Sequence, residues 1–249
     1  MTQFVPKQWS AMRAWLVSPL GQAFLKEESL MVEKLSQTIF GLHTLLLGEP
    51  QFGAGVLNNP ISHRIWVHPK IIREENLSAI LARQDKLPIL SDEMDLIYLA
   101  HCLEFLPNPH EVLRETYRVL RPEGHVIISV FNPLSLWNLW RWLLHFIKPV
   151  PWDGRLLSMM RLKDWLTLLG FDVIDTKRYF FRLPLNYPSY LKRFAWVEKI
   201  GQFCFPLGGA GCIVLAKKRV LTLTPIRPAF KVPKPMLAPG LGETVTRTK

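Results

Sequence analysis

Residues 92–130, DEMDLIYLAHCLEFLPNPHEVLRETYRVLRPEGHVIISV, decide how this chain folds. An acidic turn (Asp92, Glu93, Asp95) feeds an apolar run at 96–100, and a polar loop, a helical segment and a second β-rich run at 126–130 follow. That is a β-loop-α-β unit of about 40 residues, the size of a right-handed crossover between parallel strands. Asn108 suits the cap position and Pro109 the first helical position, with Glu111 three residues after the cap. Val112, Leu113, Thr116, Tyr117 and Leu120 share one helical face. Arg121-Pro122-Glu123-Gly124 ends the helix and turns the chain into the next strand.

Outward from this unit the alternation continues. Upstream, residues 7–40 read as helical: Ser18-Pro19 opens the better-defined helix, with Leu20, Phe24, Met31, Leu35 and Ile39 on one face and Gly41 at its end. Residues 43–47 and 63–68 read as short strands. Between them lies a glycine-containing loop, Gly48-Glu49-Pro50-Gln51-Phe52-Gly53-Ala54-Gly55. Residues 78–90 hold a short helix or strand and the turn 83–88. Downstream, 134–147 is a Trp-rich helical segment, 160–169 a helix stopped by Gly170, 171–181 a long strand, 189–203 a helix and 211–216 the last strand. A βαβα order with a late hairpin-like pair predicts a doubly wound α/β fold.

Composition bounds the class. The chain has 249 residues, 49% hydrophobic and 20% charged, enough for a full core. No apolar run reaches the roughly 18–20 residues that span a bilayer, and the N-terminus lacks the pattern of a secretory signal. Cys102, Cys204 and Cys212 show no CxxC spacing, so neither a zinc site nor a disulfide framework is expected, and a reduced, cytoplasmic setting fits. Of the net charge of +11, most lies after residue 216, where eight basic residues face Glu243 alone among many prolines. That stretch reads as a disordered tail, with attraction to nucleic acid or anionic lipid, or simple solubilisation, as its open roles. No helix in the remainder carries a one-sided Lys/Arg stripe, so nucleic acid is not the expected partner.

The stretch 94–129 also resembles the class I S-adenosylmethionine-dependent methyltransferases of the methyltransferase 11 type. The shared pattern is an acidic-apolar strand, a polar segment with His101 and Glu104, and Asn-Pro-x-x-Val-Leu-x-Glu-x-x-Arg-Val-Leu-Arg-Pro-Glu-Gly. The continuation 131–137, FNPLSLW, is similar to a proteobacterial subgroup. The resemblance covers about residues 15–216 and is strongest over 85–175. It implies a Rossmann-like seven-stranded sheet with an N-terminal helical extension (1–41), a methyltransferase-like domain (42–217), a helical insertion after strand five (131–157) and the basic tail (218–249).

The resemblance also implies a site. Gly48, Gly53 and Gly55 would let the backbone approach S-adenosylmethionine, although their spacing differs from the family's acidic-x-Gly-x-Gly-x-Gly and the loop also reads as an ordinary turn. Where the family has a ribose-binding carboxylate after strand two, this chain has His68. Losing that carboxylate costs about 1.5–3 kcal/mol, ten- to a hundredfold in affinity. Asp85, with Lys86 and Leu87, falls where the family faces the adenine; a solvated turn is the alternative. Ala100 and His101 follow strand four at the crevice, and His101 is the candidate catalytic group, contacting cofactor or acting as a base, or else structural. Asn132, Trp137 and Trp140 open the Trp-rich segment, which reads as an acceptor-lining lid or as extra core or a dimer patch, with an interfacial helix as the lesser alternative. The activity implied is methyl transfer to a small or partly apolar acceptor, without a metal. The alternative is a methyltransferase-like scaffold without catalysis, with peripheral membrane contact open.

Overall fold

The computed structural model describes residues 7–69, 78–135, 137–138, 155–182, 201, 203 and 205–220. Two helices, α1 (Lys7–Leu16) and α2 (Pro19–Ser36), precede a seven-stranded sheet. The strands are β1 (His43–Gly48), β2 (His63–His68), β3 (Ser78–Leu81), β4 (Met94–Ala100), β5 (Leu120–Phe131), β6 (Phe171–Tyr179) and β7 (Gly211–Lys218). A 3-10 turn (Pro50–Gly53) and the short α3 (Ala54–Leu57) follow β1; α4 (Pro109–Val119) joins β4 to β5, and α5 (Met159–Leu169) precedes β6.

The strand order is β3-β2-β1-β4-β5-β7-β6. The β3, β2, β1, β4 and β5 neighbours are parallel, and β7 runs antiparallel to both β5 and β6. The expected doubly wound, seven-stranded architecture is therefore present. Sequence explains the order. HTLLLG and GCIVLAKK are almost wholly buried, as central strands must be. SAIL is mostly exposed, and FDVIDTKRY mixes exposed and half-buried positions between its buried ends, as edges allow.

The order reverses between β1 and β4, which makes the carboxyl ends of those strands the switch-point crevice. There the backbones come unusually close. Gly48 pairs with Ala100, has φ +128°, and a Cβ on it would sit 2.2 Å from the Ala100 carbonyl oxygen. Only glycine fits. At the opposite ends, Asp95 Oδ2 accepts the amides of Leu42 and His43 at 2.8 and 2.9 Å and Oδ1 accepts from Arg121 at 3.1 Å, fixing where β1 begins. Burial works against the charge, yet these donors hold the carboxyl below its usual range.

Local rules hold with two differences. Ser18 caps α2 by accepting from the Gly21 amide, and Ser158 caps α5. Asn108 makes no side-chain cap on α4, because its backbone at φ −123°, ψ 76° lies outside the geometry that aims the amide at the first turn. The turn at Arg121–Gly124 is absorbed into β5. Pairing jumps from Met94–Leu120 to Leu96–His125, and Glu123 takes φ +65°. β7 extends through Lys218, whose buried ammonium donates to Asp92, the Tyr117 carbonyl and the Leu120 carbonyl. The first tail residue is thus part of the sheet.

α2 is the roof of the crevice. Its buried positions are Leu20, Gly21, Phe24, Glu28, Val32 and Ser36, an i, i+4 ladder. Phe24 lies 5.2–5.9 Å from the rings of His101, Phe131, Trp137, Tyr179 and Phe180. Ion pairs from Arg13 to Glu49 and from Arg182 to Glu27 pin α1 and α2 over the sheet.

Candidate active site

β1, β2, β4, β5 and β6 all end at one rim, bringing Gly48, His68, Ala100, Phe131 and Tyr179 to the same side. His101 follows Ala100 with φ +47°, its amide donating to the Ser129 carbonyl. This left-handed turn swings the imidazole back under α2, where it is 2% exposed. Nδ1 lies 3.3 Å from Glu104 Oε2, and Nε2 lies 3.3 Å from Glu28 Oε1 and 3.4 Å from the Tyr179 hydroxyl. Phe52 and Phe131 pack at 4.7 and 4.2 Å between centroids. Glu28 Oε1 also accepts from Tyr98 at 2.8 Å, and Glu104 Oε1 accepts the Phe131 amide.

The electrostatics follow. Burial alone would lower the His101 pKa, but Glu28 and Glu104 outweigh it and raise it to about 9. The two carboxylates therefore favour the imidazolium form near neutrality, which argues for a positioning role over the base role expected from the unperturbed value. Burial and Glu28 push both Tyr98 and Tyr179 well above the ordinary tyrosine range, so these hydroxyls stay neutral donors. Burial pushes the Cys212 thiol up to about 12 and raises Cys102 as well, so neither is a nucleophile.

A second cluster flanks Gly48. Glu49 is 3% exposed; its Oε2 accepts from Arg13 Nε at 2.6 Å. Oε1 has no hydrogen-bond partner among the described residues and points toward His68 Nε2, 3.7 Å away. A carboxylate thus stands beside the end of β2, carried by the residue after β1. Gln84 is also buried, 3% exposed, and both of its side-chain polar atoms lack hydrogen-bond partners among the described residues, as does Glu28 Oε2. Buried polar groups are almost always satisfied, so such atoms are where a water or a ligand can complete the hydrogen bonding.

The remaining sequence-derived residues fall as follows. Asp85 is held by both arms of Arg83, which keeps its carboxyl low, while its buried neighbour Gln84 has no hydrogen-bond partner among the described residues. Lys86 is exposed. Leu87 is buried, its amide donating to Glu115 and its carbonyl accepting from Arg118, so α4 locks the 84–88 turn. Gly53 and Gly55 do not form an open cradle. A Cβ on Gly53 would meet the Trp66 ring at 2.7 Å, and one on Gly55 the Ser29 carbonyl at 2.5 Å. Asn132 staples a loop: Nδ2 donates to the Leu207 and Gly209 carbonyls while Oδ1 accepts the Leu134 amide. Trp137 is buried under α2 and donates to the Arg182 carbonyl. Trp140 and most of the Trp-rich segment lie outside the described residues, as do Cys204, the 189–203 helix apart from its end and the tail beyond residue 220.

Sequence reading missed Glu28, Glu49, Gln84 and Tyr179. Glu28 carried a signal: it stands on the Leu20–Phe24–Val32 ladder, a charged residue inside an apolar stripe. Among the described residues no helix is long and apolar enough to cross a membrane, and no three His, Cys, Asp or Glu side chains group as a metal site.

Residues 64–128 match the family model for a methyltransferase domain. The chain is 29% identical over 242 residues to YafS of Escherichia coli, itself uncharacterized, covering 96% of this chain and 95% of that one. Among solved structures, a SAM-dependent methyltransferase of Thermotoga maritima, a possible histamine N-methyltransferase, is similar with a TM-score of 0.62 at 17% identity, covering 85% of this chain and 100% of that one. A Haloferax volcanii chain, from the complex between the Trm112 methyltransferase activator and a methyltransferase, has a TM-score of 0.61 at 14% identity over 87% of this chain and 99% of its own. The resemblance carried by 94–129 thus extends to the whole fold.

Proposed function

We propose that this chain, which has the class I methyltransferase fold, binds S-adenosylmethionine at the switch-point crevice and transfers its methyl group to a small acceptor. The observation that carries this is Glu49 Oε1: a buried carboxylate oxygen without a hydrogen-bond partner among the described residues, beside Gly48 and facing His68. A ribose offers two hydroxyl donors, and a carboxylate accepts both. The free amide of Gln84 suits an adenine edge, which presents a donor beside an acceptor. Two carboxylates around one imidazolium favour a sulfonium nearby.

When bound, S-adenosylmethionine supplies an activated methyl group on sulfur. The chain's own contribution is positioning and exclusion of water. α2 and its aromatic residues cover the rim. The His101 imidazolium and the neutral Tyr98 hydroxyl direct their donors to Glu28 and Glu104 and so hold the floor of the crevice in shape. With no base available near neutrality among them, the fitting acceptor brings its own nucleophile.

Glu49→Gln keeps the size and removes the charge. The expected result is S-adenosylhomocysteine affinity weaker by about ten- to a hundredfold, with the fold retained. Calorimetric titration of both proteins checks it; equal affinities would take Glu49 out of the ribose site.

A further inference from the structure

A cleft of about 440 Å3 opens behind the 101–108 loop, between the first turn of α4 and α5. It lies outside the crevice but shares a wall with it. Leu103 lines the cleft, and the Arg155 amide donates to the Glu104 carbonyl, whose side chain holds His101. The rings of His110 and Trp165 stand 3.9 Å apart in its wall.

Its charge is what sets it apart. Arg114, Arg155 and Arg161 line the cleft, with Glu111 as the acid among the lining residues. Of the other described arginines, Arg13, Arg83, Arg118, Arg121, Arg182 and Arg219 each pair with a carboxylate, Arg64 donates to the Asn59 carbonyl and Arg178 lies beside Cys212. Among the described residues, none of the three cleft guanidiniums has such a partner. Like charges gathered around one concavity repel unless an anion joins them, and guanidinium matches phosphate with paired N–H donors. A monoanionic carboxylate needs one arginine; three suit a dianion. A volume of a few hundred Å3 suits a small molecule rather than a polymer.

We propose that this cleft binds a small organic phosphate, with the three arginines on the phosphate and the Trp165–His110 pair against a planar, apolar part. Taking that molecule as the methyl acceptor, or as a ligand controlling access to His101, rests on the methyl-transfer reading; the binding site itself does not.

The test is calorimetry without cofactor, at matched ionic strength, on the full chain and on Arg155→Ser/Arg161→Ser, with phenyl phosphate and inorganic phosphate as probes. The proposal expects phenyl phosphate to bind the wild type, inorganic phosphate to bind more weakly, and the double variant to lose at least about tenfold in affinity for phenyl phosphate. Both arginines are exposed, so folding should survive. An unchanged thermal midpoint checks this, and Arg114→Ser serves as a second variant. Equal binding by wild type and variants, or none up to about 10 mM, overturns the site. Inorganic phosphate binding as well as phenyl phosphate overturns the planar part. An RNA oligonucleotide outcompeting phenyl phosphate overturns the small-molecule class. Because S-adenosylhomocysteine is titrated separately, failure of the cofactor reading is seen apart from failure here.

Discussion

Glu28→Gln is expected to lower folding stability by roughly 2–4 kcal/mol near neutral pH and to flatten its pH dependence. Glu28 is fully buried and shares Oε1 between His101 and Tyr98. Glutamine fills the same space but leaves the imidazolium with Glu104 alone. The sign of the pH effect is fixed. His101 titrates near 6.5 unfolded and about 9 folded. The stabilisation is therefore full below pH 6.5 and is lost as pH rises through 9, amounting to about 3 kcal/mol across that window. Tyr98 and Tyr179, raised above their ordinary range, stay neutral throughout it. Urea denaturation of both proteins at pH 6.5 and 9 should show a gap that narrows at the higher pH. A gap independent of pH would mean that His101 is not the charged partner.

Gly55→Val should destabilise by about 3 kcal/mol or more, a drop in thermal midpoint of roughly 6–12 °C. The cause is backbone contact. A Cβ at residue 55 would lie 2.5 Å from the Ser29 carbonyl oxygen and 2.9 Å from Ser29 Cα, so α2 itself must move. Gly53 differs, since its obstruction is the Trp66 ring, a side chain that can shift. Gly53→Ala should therefore cost less than Gly55→Ala in the same thermal scan. These contacts tie both glycines to the packing of the fold. In this chain they seat α2 and Trp66, and Gly48 alone serves the crossing of β1 and β4. A midpoint for Gly55→Val within about 2 °C of wild type would show that α2 does not sit as described.

What the sequence made legible was whatever depends on local spacing. The β4–α4–β5 unit shows itself in an apolar run, a 3.6-residue stripe and a Pro-Glu-Gly turn, each satisfied within a few residues. Gly48 and His101 were legible because they end strands on either side of the switch point. The rest depends on contacts across long separations. His101 and Glu28 stand 73 positions apart, and only the seating of α2 joins them. The roof face was legible in part: Leu20, Phe24 and Ile39 are buried and Met31 and Leu35 pack half-buried against the core. Met31 and Leu35 look like the inner stripe by hydropathy, yet Glu28, Val32 and Ser36 lie inside, because buried partners await Glu28. Glu49 escaped notice because the family resemblance directs attention to the end of β2, whereas the carboxylate that stands beside His68 follows β1. Asp85 drew attention by its charge. Arg83, two residues away, consumes that charge, and the uncharged Gln84 is what lies buried.

The central claim is that the crevice holds S-adenosylmethionine despite its altered glycine loop and displaced carboxylate. A calorimetric titration of the purified chain with S-adenosylhomocysteine, after removal of any carried-over nucleoside, tests it most directly. The account predicts one site per chain with a dissociation constant of roughly micromolar order, near −8 kcal/mol. No binding up to about millimolar concentration would contradict it and favour a methyltransferase-like scaffold without catalysis.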